Sequence, residues 1–131
     1  MKYLMDTCSF IWYIQESPKL SSSARELVNN SYNIYLSYVT LWEIAIKQSV
    51  GKLDTITMTV FELAEVCREN GIILIPIQLA HLERIKKLPL IHRDPFDRII
   101  MATAIEEDCT LITNDSEIIK YDGIKTFWEN T

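Results

Sequence analysis

The segment GIILIPI, residues 71–77, is a short apolar run that begins at a glycine and contains a proline near its end. Continuous runs such as IILI are typical of strands buried on both faces, which is how the strands of a parallel sheet are placed. The run therefore predicts an α/β protein in which helices cover both faces of a parallel sheet.

The rest of the chain alternates strand and helix patterns. Further strands are predicted at KYLMD (2–6), NIYLS (33–37), TLIT (110–113) and GIKTFW (123–128). Helices are predicted over residues 21–30, 40–50, 57–70, 78–87 and 94–108. Gly51 and Gly71 follow the second and third of these helices, as expected of residues that favour the left-handed conformation at helix ends.

Length and composition describe one domain. Of the 131 residues, 48% are hydrophobic, enough for a core that needs no disulfide or metal. Cys8, Cys67 and Cys109 are odd in number and form no CxxC pair, so they are interpreted as small core residues in a reducing compartment. The chain shows no signal-peptide pattern and no stretch of the roughly 18 apolar residues that span a membrane. These features predict a cytoplasmic protein without a membrane segment.

The net charge of −5 argues against a broad basic surface that holds nucleic acid by phosphate contacts alone. It leaves room for a nuclease whose acids are gathered at one site.

Two aspartates lie three residues apart in HRDPFDRIIMA, residues 92–102. Asp94 before Pro95 is typical of a helix N-cap followed by the first helical residue. Asp97 is then the third helical residue, where the helix dipole favours a carboxylate by about 0.3–1 kcal/mol. Taken alone, this segment is explained by a helix start.

Acids also follow other predicted strands, and ligands of open α/β sheets bind at the carboxyl ends of strands. Asp6 ends the first strand, and Asp115 follows TLIT after one asparagine. Glu43 and Asp97 are each placed in the first turn of a predicted helix. These four acids are therefore expected to converge on one site.

Structural roles are open alternatives for several of these acids. Glu43 completes a capping box with Thr40 or pairs with Lys47 one turn later. Asp115 fits a turn with a helix cap. Asp6 is harder to explain in this way, since aspartate is depleted in strands. Only the shared site accounts for all four acids together.

Converging carboxylates repel one another, by about 4 kcal/mol for a pair about 4 Å apart at an effective dielectric constant of about 20. A hard divalent cation offsets this repulsion, and ligation by oxygen alone favours Mg²⁺ or Mn²⁺ over Zn²⁺. Such an ion activates water and stabilises charge on a phosphate during its transfer. The four acids therefore predict metal-dependent phosphate chemistry.

Four motifs occur in order along nearly the whole chain: MDT (5–7), SYVTLWEIAIK (37–47) with GKL (51–53), HRDPFDRIIMATA (92–104) and LITND (111–115). In their order and spacing they resemble the PIN-domain ribonucleases, above all the VapC-type toxins of type II toxin–antitoxin systems. The resemblance implies a single PIN-like domain over 1–131, a three-layer α/β/α sandwich around a parallel sheet of about five strands. It implies a metal-dependent endoribonuclease toxin with an RNA substrate, a cognate antitoxin and a homodimeric state.

The resemblance also implies site residues. Mg²⁺ or Mn²⁺ would be held by the acidic cluster, in which Glu43 is a ligand or a water-positioning base, and Asp94 would not be a principal ligand. The implied catalytic and metal-binding residues are Asp6, Glu43, Asp97 and Asp115, with supporting hydroxyls at Thr7 and Thr113. Arg93, Arg98 and the run 84–87 are candidates for RNA contact, although exposed charges on helices are usually solvated.

Rival functions fit the residues less well. A receiver-type phosphoacceptor domain needs an adjacent acid pair near the first strand, where only Asp6 is present. A phosphatase with an aspartyl nucleophile needs a second aspartate two residues later, where Cys8 stands. A catalytically silent PIN-like module that binds RNA or protein stays open as the alternative. The aromatic run at 10–14 favours core packing, with part of it open to a partner.

Overall fold

The central sheet has five parallel strands in the order β3-β2-β1-β4-β5, in a computed structural model that describes residues 1–90 and 94–129. The strands are β1 Lys2–Met5, β2 Ile34–Ser37, β3 Ile72–Ile75, β4 Cys109–Ile112 and β5 Thr126–Phe127. Each pair of neighbouring strands is parallel. The predicted α/β class and the five-stranded sheet are both confirmed.

The register of the sheet brings the ends of three strands to one level. Met5, the last residue of β1, pairs with Leu36 of β2 on one side and with Ile112 of β4 on the other. All three side chains are fully buried, as expected for strands covered on both faces. The residues that follow these strands therefore lie along the same edge.

Helices cover both faces of the sheet. They are α1 Thr7–Ile14, α2 Ser22–Asn30, α3 Tyr38–Ser49, α4 Val60–Glu69, α5 Leu79–Ile85, α6 Pro95–Glu106 and α7 Ser116–Ile119. One hydrophobic cluster joins Phe10, Val28 and Leu63 of α1, α2 and α4 to the sheet. A second cluster contains Met101 of α6 and Ile118 of α7. This arrangement confirms the three-layer α/β/α sandwich.

The start of α3 corrects the prediction for residues 40–50. The helix begins at Tyr38, and Ser37 caps it by accepting a hydrogen bond from the Val39 N–H at 3.1 Å. The last residue of β2 thus serves as the helix cap, and no loop separates the two elements. Glu43 lies in the second turn of the helix, so its predicted place in the first turn is wrong, and the alternative of a capping box with Thr40 is wrong for the same reason.

The helix α1 was not predicted. Asp6 is the last residue of the predicted first strand, but in the structure it is the N-cap of α1 and accepts a hydrogen bond from the Ser9 N–H at 2.8 Å. Phe10 and Ile11 are buried, and Trp12 packs against the same core, so core packing of this run is confirmed. The helix α4 also begins later than predicted, at Val60, because Thr59 and Glu62 form a capping box.

The cysteines divide into two groups. Cys67 and Cys109 are buried, as predicted, whereas Cys8 is exposed, so its assignment to the core is wrong. All three are free thiols. In the part of the chain that the structure describes, no helix is long and apolar enough to cross a membrane.

Candidate active site

The four predicted acids line one pocket of about 270 Å³ at the carboxyl edge of the sheet. Asp6 caps α1 directly after β1, and Asp115 caps α7 after β4. Glu43 reaches the pocket from α3 and Asp97 from the first turn of α6. Other lining residues include Thr7, Cys8, Trp12, Lys47, Asp94 and Asn114.

Two larger depressions, of about 630 and 470 Å³, lie beside α1 and α2. Their acids, Glu16 and Glu26, are exposed to solvent. Exposed carboxylates are already hydrated and have little need of a ligand. We therefore place the chemistry in the smaller acidic pocket.

Asp6 is a buried acid, with only 6% of its surface exposed. Burial raises the pKa of its carboxyl group, and the charge of Asp115 raises it further. Hydrogen bonds from Thr113 and Ser9 lower the pKa but do not cancel the effect of burial. The ionised form of Asp6 is therefore disfavoured in the metal-free protein.

The two predicted threonines hold the site together. The Thr113 hydroxyl accepts the Asp115 N–H at 3.1 Å and hydrogen bonds to the Asp6 carboxyl, so it links two of the acids. The Thr7 and Thr40 hydroxyls lie 3.1 Å apart and join α1 to α3, the helix that carries Glu43. Both threonines are buried, so these contacts are shielded from water.

Glu43 is buried and its two carboxylate oxygens have different surroundings. Oε2 lies 3.0 Å from the Lys47 ammonium, which is the second of the two sequence alternatives for this residue. Oε1 is buried and has no hydrogen-bond partner among the described residues. An unsatisfied buried oxygen costs about 1–3 kcal/mol, and more when charged. Such an atom, on a side chain that lines the pocket, fits a cation or the hydrogen of a bound water molecule.

Lys47 is the pocket-lining cation in the described part of the chain. Burial lowers the pKa of its ammonium, but the hydrogen bond and the charge of Glu43 raise it by more, so the net pKa is raised. Lys47 therefore stays protonated beside the acids at neutral pH.

The start of α6 matches the sequence prediction. Asp94 is the N-cap and accepts the Phe96 N–H at 2.9 Å, Pro95 is the first helical residue, and Asp97 is the third. The Phe96 ring meets the Trp42 indole edge-on at 5.0 Å between centroids, which anchors this helix start on α3. The cap and the proline thereby direct Asp97 towards the pocket.

The candidate RNA contacts lie elsewhere or are engaged in the fold. The Arg98 guanidinium donates to the carbonyls of Pro89 at 2.9 Å and Ile85 at 3.0 Å, which ties α6 to the segment after α5. Arg84 pairs with Glu106 at 2.6 Å. Arg93 lies outside the described residues. The RNA-contact roles of Arg93 and Arg98 stay predictions.

Cys8 and Trp12 line the pocket, a place that was not predicted for either residue. They are one turn apart on α1, so this pair would have been found had that helix been predicted. Although Cys8 is exposed, partial loss of water around its thiol at the pocket wall raises its pKa, and the charges of neighbouring acids, Asp6 first, raise it further, to about 11, which keeps the thiol protonated. The Trp12 indole is held edge-on by Trp128 at 5.9 Å between centroids.

The described acids do not form a closed metal cage. Among residues 1–90 and 94–129, no group of three or more histidine, cysteine or acidic side chains is arranged to hold a metal ion. Mutual repulsion of carboxylates favours such an open arrangement without a cation. The donor set still fits Mg²⁺ or Mn²⁺ because it is made of carboxylate oxygens that line one pocket.

A family model for the PIN domain matches residues 3–124. The chain belongs to the PIN-domain family. No curated protein sequence gives a significant match. The predicted family and fold are therefore confirmed.

Several solved structures share this PIN fold at low sequence identity. VapBC2 from Rickettsia felis, bound to a promoter DNA fragment, matches with a TM-score of 0.70 and 18% identity, covering 98% of this chain and 100% of that chain. DNA-bound VapBC from Salmonella typhimurium matches with a TM-score of 0.69 and 16% identity, covering 97% of each chain. FitAcB from Neisseria gonorrhoeae matches with a TM-score of 0.62 and 18% identity, covering 95% of this chain and 96% of that chain.

Proposed function

We propose that this PIN domain is a metal-dependent endoribonuclease and the toxin of a type II toxin–antitoxin module. The observation that carries the proposal is the meeting of four carboxylates, those of Asp6, Glu43, Asp97 and Asp115, in one pocket at the carboxyl edge of the sheet. The toxin assignment is supported by the VapBC structures that share the fold.

In this proposal, Asp6, Asp97 and Asp115 hold Mg²⁺ or Mn²⁺, with Glu43 as a further ligand or as a water-positioning base. The bound ion would activate water and neutralise charge on the scissile phosphate and its leaving oxygen. Thr113 fixes the relative position of Asp6 and Asp115 through its two hydrogen bonds. The proposed products carry 5′-phosphate and 3′-hydroxyl ends.

Cleavage of RNA by the purified chain tests the enzyme proposal. We expect single-stranded or looped regions of structured RNAs to be cut in Mn²⁺ or Mg²⁺ and to stay intact in EDTA, because the acids alone cannot neutralise the phosphate. The ends are checked by 5′-phosphate-dependent ligation. RNA binding without cleavage under any of these conditions would instead support the catalytically silent module.

The proposed antitoxin has a suitable surface on α3 and α4. An apolar groove of about 310 Å³ is lined by Tyr38, Leu41, Trp42, Ala45, Val60, Phe61, Ala64 and Leu74. Phe61 is 88% exposed, and exposed apolar patches of this kind mark sites of protein association. Because Trp42 contacts Phe96 beside the pocket, an antitoxin seated here would stand next to the acids. A homodimer and a cytoplasmic location stay predictions.

We expect Phe61→Asp to weaken antitoxin binding at least about 30-fold, as for a central apolar contact. The measurement is co-purification and calorimetry with the small protein encoded by the adjacent reading frame. Leu79→Asp is the matched control, since Leu79 is 84% exposed on α5, away from the groove. Equal losses in the two variants, or none in Phe61→Asp, would contradict this surface.

A further inference from the structure

Glu43 and Lys47 lie one turn apart on α3 and line the same pocket. Their Oε2 and Nζ atoms are 3.0 Å apart. The Glu43 side chain is 8% exposed and that of Lys47 is 38% exposed, so the pair extends from the buried wall to the rim. This is more than a surface ion pair, because one partner is a buried carboxylate.

The ion pair makes the two oxygens of Glu43 chemically different. Oε2 is neutralised by the ammonium, whereas Oε1 is buried without a hydrogen-bond partner in the described chain. A divalent ion bound directly to Glu43 would stand within a few ångströms of this ammonium and be repelled by it. A neutral water molecule at Oε1 meets no such repulsion and satisfies the oxygen.

We infer that Lys47 keeps Glu43 out of the metal's ligand set, so that Oε1 accepts a hydrogen bond from the attacking water. This inference rests on the proposed function and decides between the two roles left open for Glu43. Lys47 is then a positioning residue that acts through Glu43. The ligands of the ion are Asp6, Asp97 and Asp115.

The first test is Mn²⁺ calorimetry and RNA cleavage with the double variant Glu43→Gln/Lys47→Met, which removes both charges of the ion pair. Because Glu43 is not a ligand and no unpaired charge is left, we expect the Mn²⁺ affinity to stay within about threefold of wild type. Cleavage should fall at least about 100-fold, as for loss of a group that accepts a proton from water. A Mn²⁺ affinity reduced more than about tenfold would make Glu43 a ligand and overturn the inference.

The second test is Lys47→Met, which removes the ammonium and keeps an unbranched side chain. We expect Mn²⁺ to bind at least about tenfold more tightly, because the repulsion is gone and Glu43 becomes free to ligate. Lys47→Arg keeps the charge and should bind Mn²⁺ like wild type. Lys52→Met is the control for loss of an exposed lysine outside the pocket.

The outcomes separate the inference from the proposed function. Unchanged or weaker Mn²⁺ binding in folded Lys47→Met overturns the inference alone. If thermal melting shows that Lys47→Met does not fold, the double variant, which leaves no unpaired buried carboxylate, provides the deciding measurement. Failure of the wild-type protein to bind any Mn²⁺ overturns the proposed function and the inference with it.

Discussion

Asp97→Asn should abolish Mn²⁺ binding and reduce RNA cleavage at least about a thousandfold, while the metal-free fold stays intact. The loss follows from removing one charged ligand of the proposed ion, which stabilises the transition state by several kcal/mol. The substitution leaves the N-cap of α6 unchanged, because Asp94, not Asp97, accepts the Phe96 N–H at the start of that helix. Asparagine gives up the dipole interaction, about 0.3–1 kcal/mol, and relieves repulsion within the cluster.

Asp94→Asn is the matched control for this prediction. Asparagine caps helices about as well as aspartate, so the free energy of unfolding should stay close to that of wild type. The Mn²⁺ affinity should change by no more than a few-fold. Urea unfolding in EDTA measures the fold, and calorimetry measures the metal. Unchanged Mn²⁺ affinity in Asp97→Asn would refute its assignment as a ligand, and a loss of 2 kcal/mol or so of stability would show that it acts mainly in the helix start.

The strands could be predicted because their burial leaves a local pattern. β4 is buried at every position, as its apolar run predicts. The strand β3 is also present in GIILIPI, but it is an edge strand in which only Ile72 is buried and Ile73 is 45% exposed, so the burial predicted for IILI on both faces is wrong. The parallel sheet then follows from the helices between the strands. This part of the structure needs no knowledge of distant contacts.

Helix starts were harder to predict because one residue can serve two elements. Ser37 ends β2 and also caps α3, and Asp6 follows β1 and caps α1. The run that forms α1 is rich in aromatic and β-branched residues, which resembles a strand over such a short length. Whether the chain turns after Asp6 depends on its cap and on the core that receives Phe10.

The site was predictable in outline, since strand ends of a parallel sheet meet at one edge. The order of the acids was enough to group them, but not to distinguish the environments of their oxygens. The contact of Lys47 with only one oxygen of Glu43, and the burial of the other, depend on how α3 packs beside α1. The exposure of Cys8 likewise follows from the orientation of α1, whose opposite side buries Phe10 and Ile11.

Asp6→Asn should raise the melting temperature of the metal-free protein at pH 7, remove stabilisation by Mn²⁺ and reduce cleavage at least about a thousandfold. Burial raises the pKa of Asp6 above the ordinary value of 3.8, so ionising it costs stability in the folded state. The contribution of the protonated form to stability is fully present below the unfolded pKa and is lost as pH rises through the folded pKa. Asparagine imitates that neutral form and can still accept the Ser9 N–H.

The pH dependence of this difference distinguishes burial from a general effect of charge. In EDTA, the advantage of Asp6→Asn over wild type should disappear as pH falls below 3.8, where both side chains are neutral. Asp108→Asn is the control of opposite sign, because Lys125, 3.0 Å away, lowers the pKa of that exposed carboxyl group. Its ionised form stabilises the fold above the unfolded pKa, and this contribution is lost as pH falls through the folded pKa. A melting temperature of Asp6→Asn no higher than wild type at pH 7 would mean that burial does not destabilise the ionised form of Asp6 in the metal-free protein. Stabilisation of that variant by Mn²⁺ would exclude Asp6 as a ligand.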